Sequence, residues 1–197
     1  MSLLKLDTET RREQIAHACV EVVGEEGFDS LSVAKVARKI GLVPSALYRH
    51  YDSKYEMVTD MLHIFMDMAQ DMLNEVMQKE KSALRRLRAI IIRENEIMSE
   101  DKMFMRFLLS DRVISDPVLC GKIREIGDKY SKGIQEIIIE GQKAGEITSE
   151  TDAETLAMLF QGVTMPPGMK QMISWGNYDA IKQIEKNWKF FERAIKA

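Results

Sequence analysis

Apolar residues recur along nearly the whole chain at intervals of three and four, the period of helices with one buried face. Ile15, Ala18, Cys19, Val22 and Val23 keep this spacing and predict a first helix, opened by the capping box Thr10-Arg11-Arg12-Glu13 and closed at Gly27. Ser32 is a good N-cap for a second, short helix whose apolar face is Val33, Val36, Ala37 and Ile40. That helix stops at Gly41. Pro44 suits the first position of a third helix, running through His50, because proline pre-sets φ and lacks only an orphan amide. Ser53 and Glu56 form another capping box before a long helix from Lys54 to Gln78. Further helices are predicted over Ser82–Ser99, Asp101–Arg112, Pro117–Ala144 (Asp116 as N-cap, Gly145 as terminator), from a Thr151/Glu154 capping box up to a break at Pro166-Pro167-Gly168, and over Tyr178–Ile195. Period-two alternation and hairpin dipeptides are almost absent, so the fold class is all-α.

Composition agrees with a folded chain. Of 197 residues, 45% are hydrophobic and 30% charged, enough for a core and unlike a disordered segment. Cys19 and Cys120 show neither metal spacing nor a disulfide framework, so a reducing cytoplasm is the expected compartment. No apolar run approaches the ~20 residues needed to cross a bilayer. Lys5, Asp7 and Glu9 argue against a secretory signal.

The net charge of −3 argues against a protein that coats nucleic acid, but the charge is unevenly placed. Residues 1–29 carry three cations against seven anions, and residues 30–55 carry five against one. The positive stretch contains two short helices joined by a glycine turn, a helix-turn-helix pattern. Val36, Ala37, Ile40, Leu42 and Leu47 can point inward. Pro44, Ser45, Ala46, Tyr48 and Arg49 then lie near the outer face of the third helix, where short polar groups, an aromatic hydroxyl and a cation suit a major groove. The alternative is a helical hairpin with a solvated basic face.

Residues Thr10 to Val58 resemble the DNA-binding head of the tetracycline-repressor (TetR) family of bacterial transcription regulators. The resemblance is carried by Gly27-Phe28, Leu31-Ser32-Val33, Val36-Ala37, Gly41-Leu42, the run Ser45 to Tyr51, and Ser53-Lys54. It implies an all-helical, two-fold homodimer with a three-helix head over residues 1–53. It also implies a body over residues 54–197 that binds a small molecule and shifts the spacing of the two heads. By this resemblance Ser45 and Tyr48 touch bases or nearby phosphates, Ala46 meets a thymine methyl, and Ser32, His50 and Lys54 meet phosphates. The chain departs from the family at Val43, where many members carry a Ser or Thr cap, and at Ala34, where some carry a base-reading Arg.

The body shows three further patterns. Ile181, Ile184, Trp188, Phe191 and Ile195 repeat at 3, 4, 3 and 4, a seam either for a partner helix or for the chain's own core. Met165, Met169 and Trp175, with Met98, Phe104 and Phe107, are candidate walls for an apolar or planar ligand, or plain core. Arg93, Glu94 and Asn95 interrupt the fifth helix, either as an anchor for a ligand's polar group or as a solvated face. The basic run Lys79–Arg93 can reach DNA, line a dimer rim or be solvated.

These readings point to a cytoplasmic, dimeric regulator that represses from a double-stranded operator and is released by a small effector. No catalytic residue, metal site or cofactor is expected. His17, His50 and His63 lack metal-ligand spacing, and there is no glycine-rich phosphate loop. A ligand-binding helical module without a DNA role, or a helical enzyme, are the alternatives.

Overall fold

Asp7, rather than Thr10, opens the first helix. Its carboxylate accepts from the Thr10 amide at 2.9 Å, so helix α1 spans Thr8–Glu26. A carboxylate is the stronger acceptor at the positive end of a helix, and it outcompetes the hydroxyl three residues on. The computed structural model describes residues 7–100, 107, 110–174 and 177–197, with backbone only for 97–100 and 172. After α1 come α2 (Val33–Lys39), α3 (Pro44–Leu47), α4 (Lys54–Lys79), α5 (Ala83–Glu100), α6 (Asp111–Ile114), α7 (Pro117–Lys143), α8 (Ala153–Ile173) and α9 (Ala180–Ile195). Among the described residues the only β pairing is an isolated bridge between Ile147 and Lys196.

Other boundaries also move to the better cap. Asp152, not Thr151, receives the Thr155 amide at 2.8 Å and opens α8. Glu56 closes its box on the Asp52 amide, 2.9 Å away, while its own amide donates to Ser53. The helix predicted over Asp101–Arg112 does not reach Arg112 unbroken: Ser110 is non-helical and caps α6 by accepting from the Val113 amide.

Two compact units divide the chain, residues 1–68 with 103–125 and residues 69–102 with 126–197. The division cuts α4 after Met68 rather than before Lys54. The cause lies in the first unit, where Met57, Val58, Met61, Leu62 and Phe65 of α4 are buried. α1 contributes Ile15, Ala16, Ala18, Cys19, Val22 and Val23 to this unit's interior, and burial pushes the Cys19 thiol up to about 12. A polar network crosses it. Arg12 forks onto Asp60 at 2.8 and 3.2 Å and donates to the His50 carbonyl. The Tyr51 hydroxyl donates to Asp60 at 2.8 Å, and the Arg12 guanidinium lies 4.4 Å over the Tyr51 ring.

The second unit is built on α5, α8 and α9, each packed against the other two. Ile184, Trp188, Phe191 and Ile195 are all buried there, beside Phe160, Val163, Ile90 and Ile91 in one cluster. Four of the five residues predicted as a seam for a partner helix are therefore this chain's own core, and Ile181 alone is exposed. Periodicity reveals that a helix has an apolar face; it does not say which helix covers it. Four cations of the basic run pair within the chain: Lys79 with Glu75, Arg86 with Glu140, Arg88 with Glu185 and Arg93 with Glu96.

The predicted break at Pro166-Pro167-Gly168 does not occur; α8 runs through it. Pro167 has no N–H for the Val163 carbonyl one turn earlier. The Asn187 side-chain amide of α9 donates to that carbonyl at 3.1 Å instead. A bond from a neighbouring helix thus replaces the one proline removed.

Glu94 of α5 is the unit's buried acid. Burial pushes its carboxyl up, opposed in part by hydroxyls of Tyr130 and Thr164 that donate to it. A carboxyl raised on folding contributes stability that is complete below its ordinary value of 4.5 and is lost as pH rises through the folded value. Glu94→Gln is therefore expected to melt progressively higher than the unaltered chain as pH is raised from 4.5 to 9. Thermal melts across that range check this, and a constant difference would contradict it.

Candidate nucleic-acid interface

The geometry of residues 32–51 follows from local rules. The Ser32 hydroxyl accepts from the Lys35 amide at 3.3 Å and starts α2. The helix ends at Ile40, and Gly41 takes φ +69°, a conformation that suits glycine. The Leu42 amide then returns to the Ala37 carbonyl at 2.8 Å. Val43 offers no side-chain cap, and Pro44 occupies the first turn of α3. The predicted helix to His50 is shorter than expected: α3 ends at Leu47, and single turns carry on, with the His50 amide on Leu47 at 2.9 Å and the Tyr51 amide on the same carbonyl at 3.1 Å.

Leu47 and Tyr51, four residues apart, are the buried anchors of this element. Between and before them the chain faces outward. Tyr48 is 55% exposed, Pro44, Ser45 and Arg49 are exposed, and Ala46 and His50 are half-buried. His50 Nδ1 is buried without a hydrogen-bond partner among the described residues.

The charge of the segment is weaker than its composition implied. Lys35 pairs with Glu26 at 2.5 Å, and Lys39 pairs with Glu25 at 2.6 Å and Glu21 at 3.2 Å, all across the α1–α2 crossing. Lys54 is half-buried, its ammonium 5.7 Å over the Phe28 ring, and burial with the nearby Arg112 charge lowers its pKa. Arg38 and Arg49 are exposed, with no ion pair among the described residues. A count along the chain could not see these pairings, because they depend on which side of α1 meets α2.

Of the six predicted ligand walls, Phe107, Met165 and Met169 have described side chains. Phe107 is buried in the first unit, edge-on to Phe28 at 4.9 Å and 6.4 Å from Phe65. Its partners make it part of the first unit's core. Met165 and Met169 lie exposed on α8. Phe104, Trp175 and the Met98 side chain lie outside the described residues. The Arg12–Asp60–Tyr51 network behind the outward element had no sequence signal, since its members lie 9 to 48 residues apart with no recurring spacing.

Residues 15–61 match a family model described as bacterial regulatory proteins, tetR family. Across 189 residues, 94% of this chain and 96% of the relative, the chain is 22% identical to the nucleoid occlusion factor SlmA of Vibrio atlanticus. Among solved structures, a TetR-family transcriptional regulator from Agrobacterium tumefaciens superposes with TM-score 0.80 at 16% identity, covering 97% of this chain and all of that one. The transcriptional regulator FadR from Bacillus subtilis, in complex with stearoyl-CoA, superposes with TM-score 0.77 at 20% identity, covering 90% and 96%.

Proposed function

We propose that this chain, a TetR-family transcriptional regulator by its head and its fold, is a repressor that a small effector releases from a DNA operator. Members of this family bind DNA and are not enzymes. The observation that carries the reading is the outward element of residues 44–50, pinned by Leu47 and Tyr51, whose Tyr48 and Arg49 side chains are exposed and make no ion pair among the described residues. In this reading residues 1–53 read DNA and residues 54–197 bind the effector and dimerise. Tyr48, Ser45, Ala46 and Pro44 enter the major groove, while Arg49, Ser32, His50 and Lys54 meet the backbone. A stearoyl-CoA complex of a protein with this fold supports an effector site in the body. No helix among the described residues is long and apolar enough to cross a membrane, in keeping with a cytoplasmic place.

Selection from random duplexes tests the reading. A pseudo-palindrome with half-sites ~34–36 Å apart is the expected product, since two heads related by a two-fold axis read two successive major grooves. Recovery of no preferred sequence would overturn it. The match along most of SlmA from Vibrio atlanticus favours a second reading, a DNA-bound factor for nucleoid occlusion. Many chromosomal sites and no effector release would favour that one.

The dimer needs a face other than the buried seam. Met158, Leu159, Met165, Met169 and Ile173 form an exposed apolar stripe along α8, and Phe190 on the adjacent α9 is 71% exposed. Large exposed apolar side chains grouped in this way mark an interface. Met165→Glu combined with Phe190→Glu is expected to give a folded monomer, whereas Trp188→Glu is expected to unfold the body. Light scattering with circular dichroism separates the two outcomes. A dimer that survives the double change would place the interface elsewhere.

A further inference from the structure

The outward element has little regular structure of its own to hold it. α3 is one turn long, and beyond Leu47 only single turns carry the chain through Tyr48 and Arg49 to Tyr51. The buried Leu47 and Tyr51 side chains fix how deeply this stretch sits. Apolar contacts are non-directional, so they leave its angle open. The directional bonds come from two other helices. Asp60 of α4 is half-buried, and its Oδ2 accepts from the Tyr51 hydroxyl and from Arg12 Nε of α1, both at 2.8 Å. Its Oδ1 accepts from Arg12 Nη2 at 3.2 Å. Arg12 Nη1 donates to the His50 carbonyl at 3.2 Å, and the Arg12 carbonyl lies 3.0 Å from the Tyr51 hydroxyl. One carboxylate thus joins α1, α4 and the two residues that end the outward element. Bonds to an ionised group are stronger than neutral ones, and a guanidinium fork adds a fixed geometry.

We propose that Asp60 is a positioning residue for DNA recognition: by holding Arg12 and Tyr51 together it sets the angle at which Tyr48 and Arg49 meet the duplex. It acts through these two residues and not by contact with DNA. The proposal rests on the reading of residues 44–50 as the DNA-reading element. The sign of its effect separates it from plain electrostatics. Asp60→Asn removes an anion and strips Arg12 of its ionic partner. By charge alone, that would strengthen binding to any duplex. Positioning requires the reverse for the selected operator.

The test compares Asp60→Asn and Tyr51→Phe with the unaltered full chain. The second variant keeps the buried ring and removes only the hydroxyl that Asp60 holds. Fluorescence anisotropy with the selected operator and with a random duplex is read beside amide hydrogen exchange of the DNA-free protein. Both variants are expected to bind the operator about tenfold more weakly, the loss of one charge-assisted bond, and the random duplex no less tightly. The His50 and Tyr51 amides are expected to exchange ~10-fold faster, while those of Val22 and Val23, in the interior of α1, do not change. Undiminished operator affinity in either variant overturns the proposal. So does a loss that falls equally on operator and random duplex, because that is general weakening of the fold. Should Asp60→Asn not fold, Tyr51→Phe decides alone by the same outcomes. Tyr48→Ala, run alongside, separates this proposal from the reading beneath it. Operator binding that fails with Tyr48→Ala but survives Asp60→Asn sinks the positioning role and keeps the reading element. Faster exchange at His50 and Tyr51, with operator binding indifferent to Tyr48→Ala, keeps the hold and sinks the reading it serves.

Discussion

Replacing Tyr48 and Arg49 together by alanine is expected to weaken binding to the selected operator by ~100-fold or more, at about 1–3 kcal/mol for each well-placed contact. Both side chains are exposed, and neither makes a hydrogen bond or ion pair among the described residues. Thermal unfolding should therefore be unchanged. The loss divides between the two residues in a way that can be measured. Arg49→Ala alone should weaken specific and non-specific duplexes alike and lower the salt slope by ~1, the signature of one lost phosphate contact. Tyr48→Ala alone should leave the slope intact and erode discrimination between sequences. Fluorescence anisotropy at several salt concentrations checks both. Unaltered affinity in the double variant would mean that α3 is not the reading element, whatever the head's resemblance to known ones.

Gly141→Val should destabilise the chain by about 3 kcal/mol, while Gly127→Ala on the same helix should stabilise it by about 0.5–1 kcal/mol. An added Cβ at Gly141 would lie 2.7 Å from Ala83 Cβ and 2.6 Å from Ile147 Cδ1. The Ala83 methyl is fixed to the backbone of α5 and cannot rotate away, and Ala83 and Ile147 are both buried. The usual gain of ~1 kcal/mol for removing a helical glycine is thus outweighed by overpacking. At Gly127 the same atom meets nothing within 4 Å. At Gly133 it meets the end of the Leu73 side chain, which can move. Urea unfolding of the two variants checks this, and a shift of the same sign in both would contradict it.

Those glycines mark where the sequence stops being informative. Gly121, Gly127, Gly133 and Gly141 are equivalent residues in one helical pattern, and nothing along the chain separates the crowded position from the open ones. The separation depends on Ala83 and Ile147 arriving from elsewhere. The two methionines expected to line a pocket behave the same way. Their spacing marks one side of α8, but only the placement of α5 and α9 decides that this side is uncovered. Lys35 and Lys39 count as free cations along the chain, yet α1 brings three glutamates against them.

What a few adjacent residues can decide is legible in the chain alone: the Ser32 cap, the turn at Gly41, proline at the start of α3, and the alternation of Leu47 and Tyr51 with Tyr48 and Arg49. Each rests on a φ preference or a hydrogen bond within four residues, so the all-helical class and the outward reading element follow directly from neighbouring positions. What depends on a second segment is not legible there. The covering of the Trp188 face, the bond from Asn187 that lets a helix pass through two prolines, and the burial of Glu94 are settled only where helices meet, because burial and pairing are properties of two surfaces and a sequence displays one at a time.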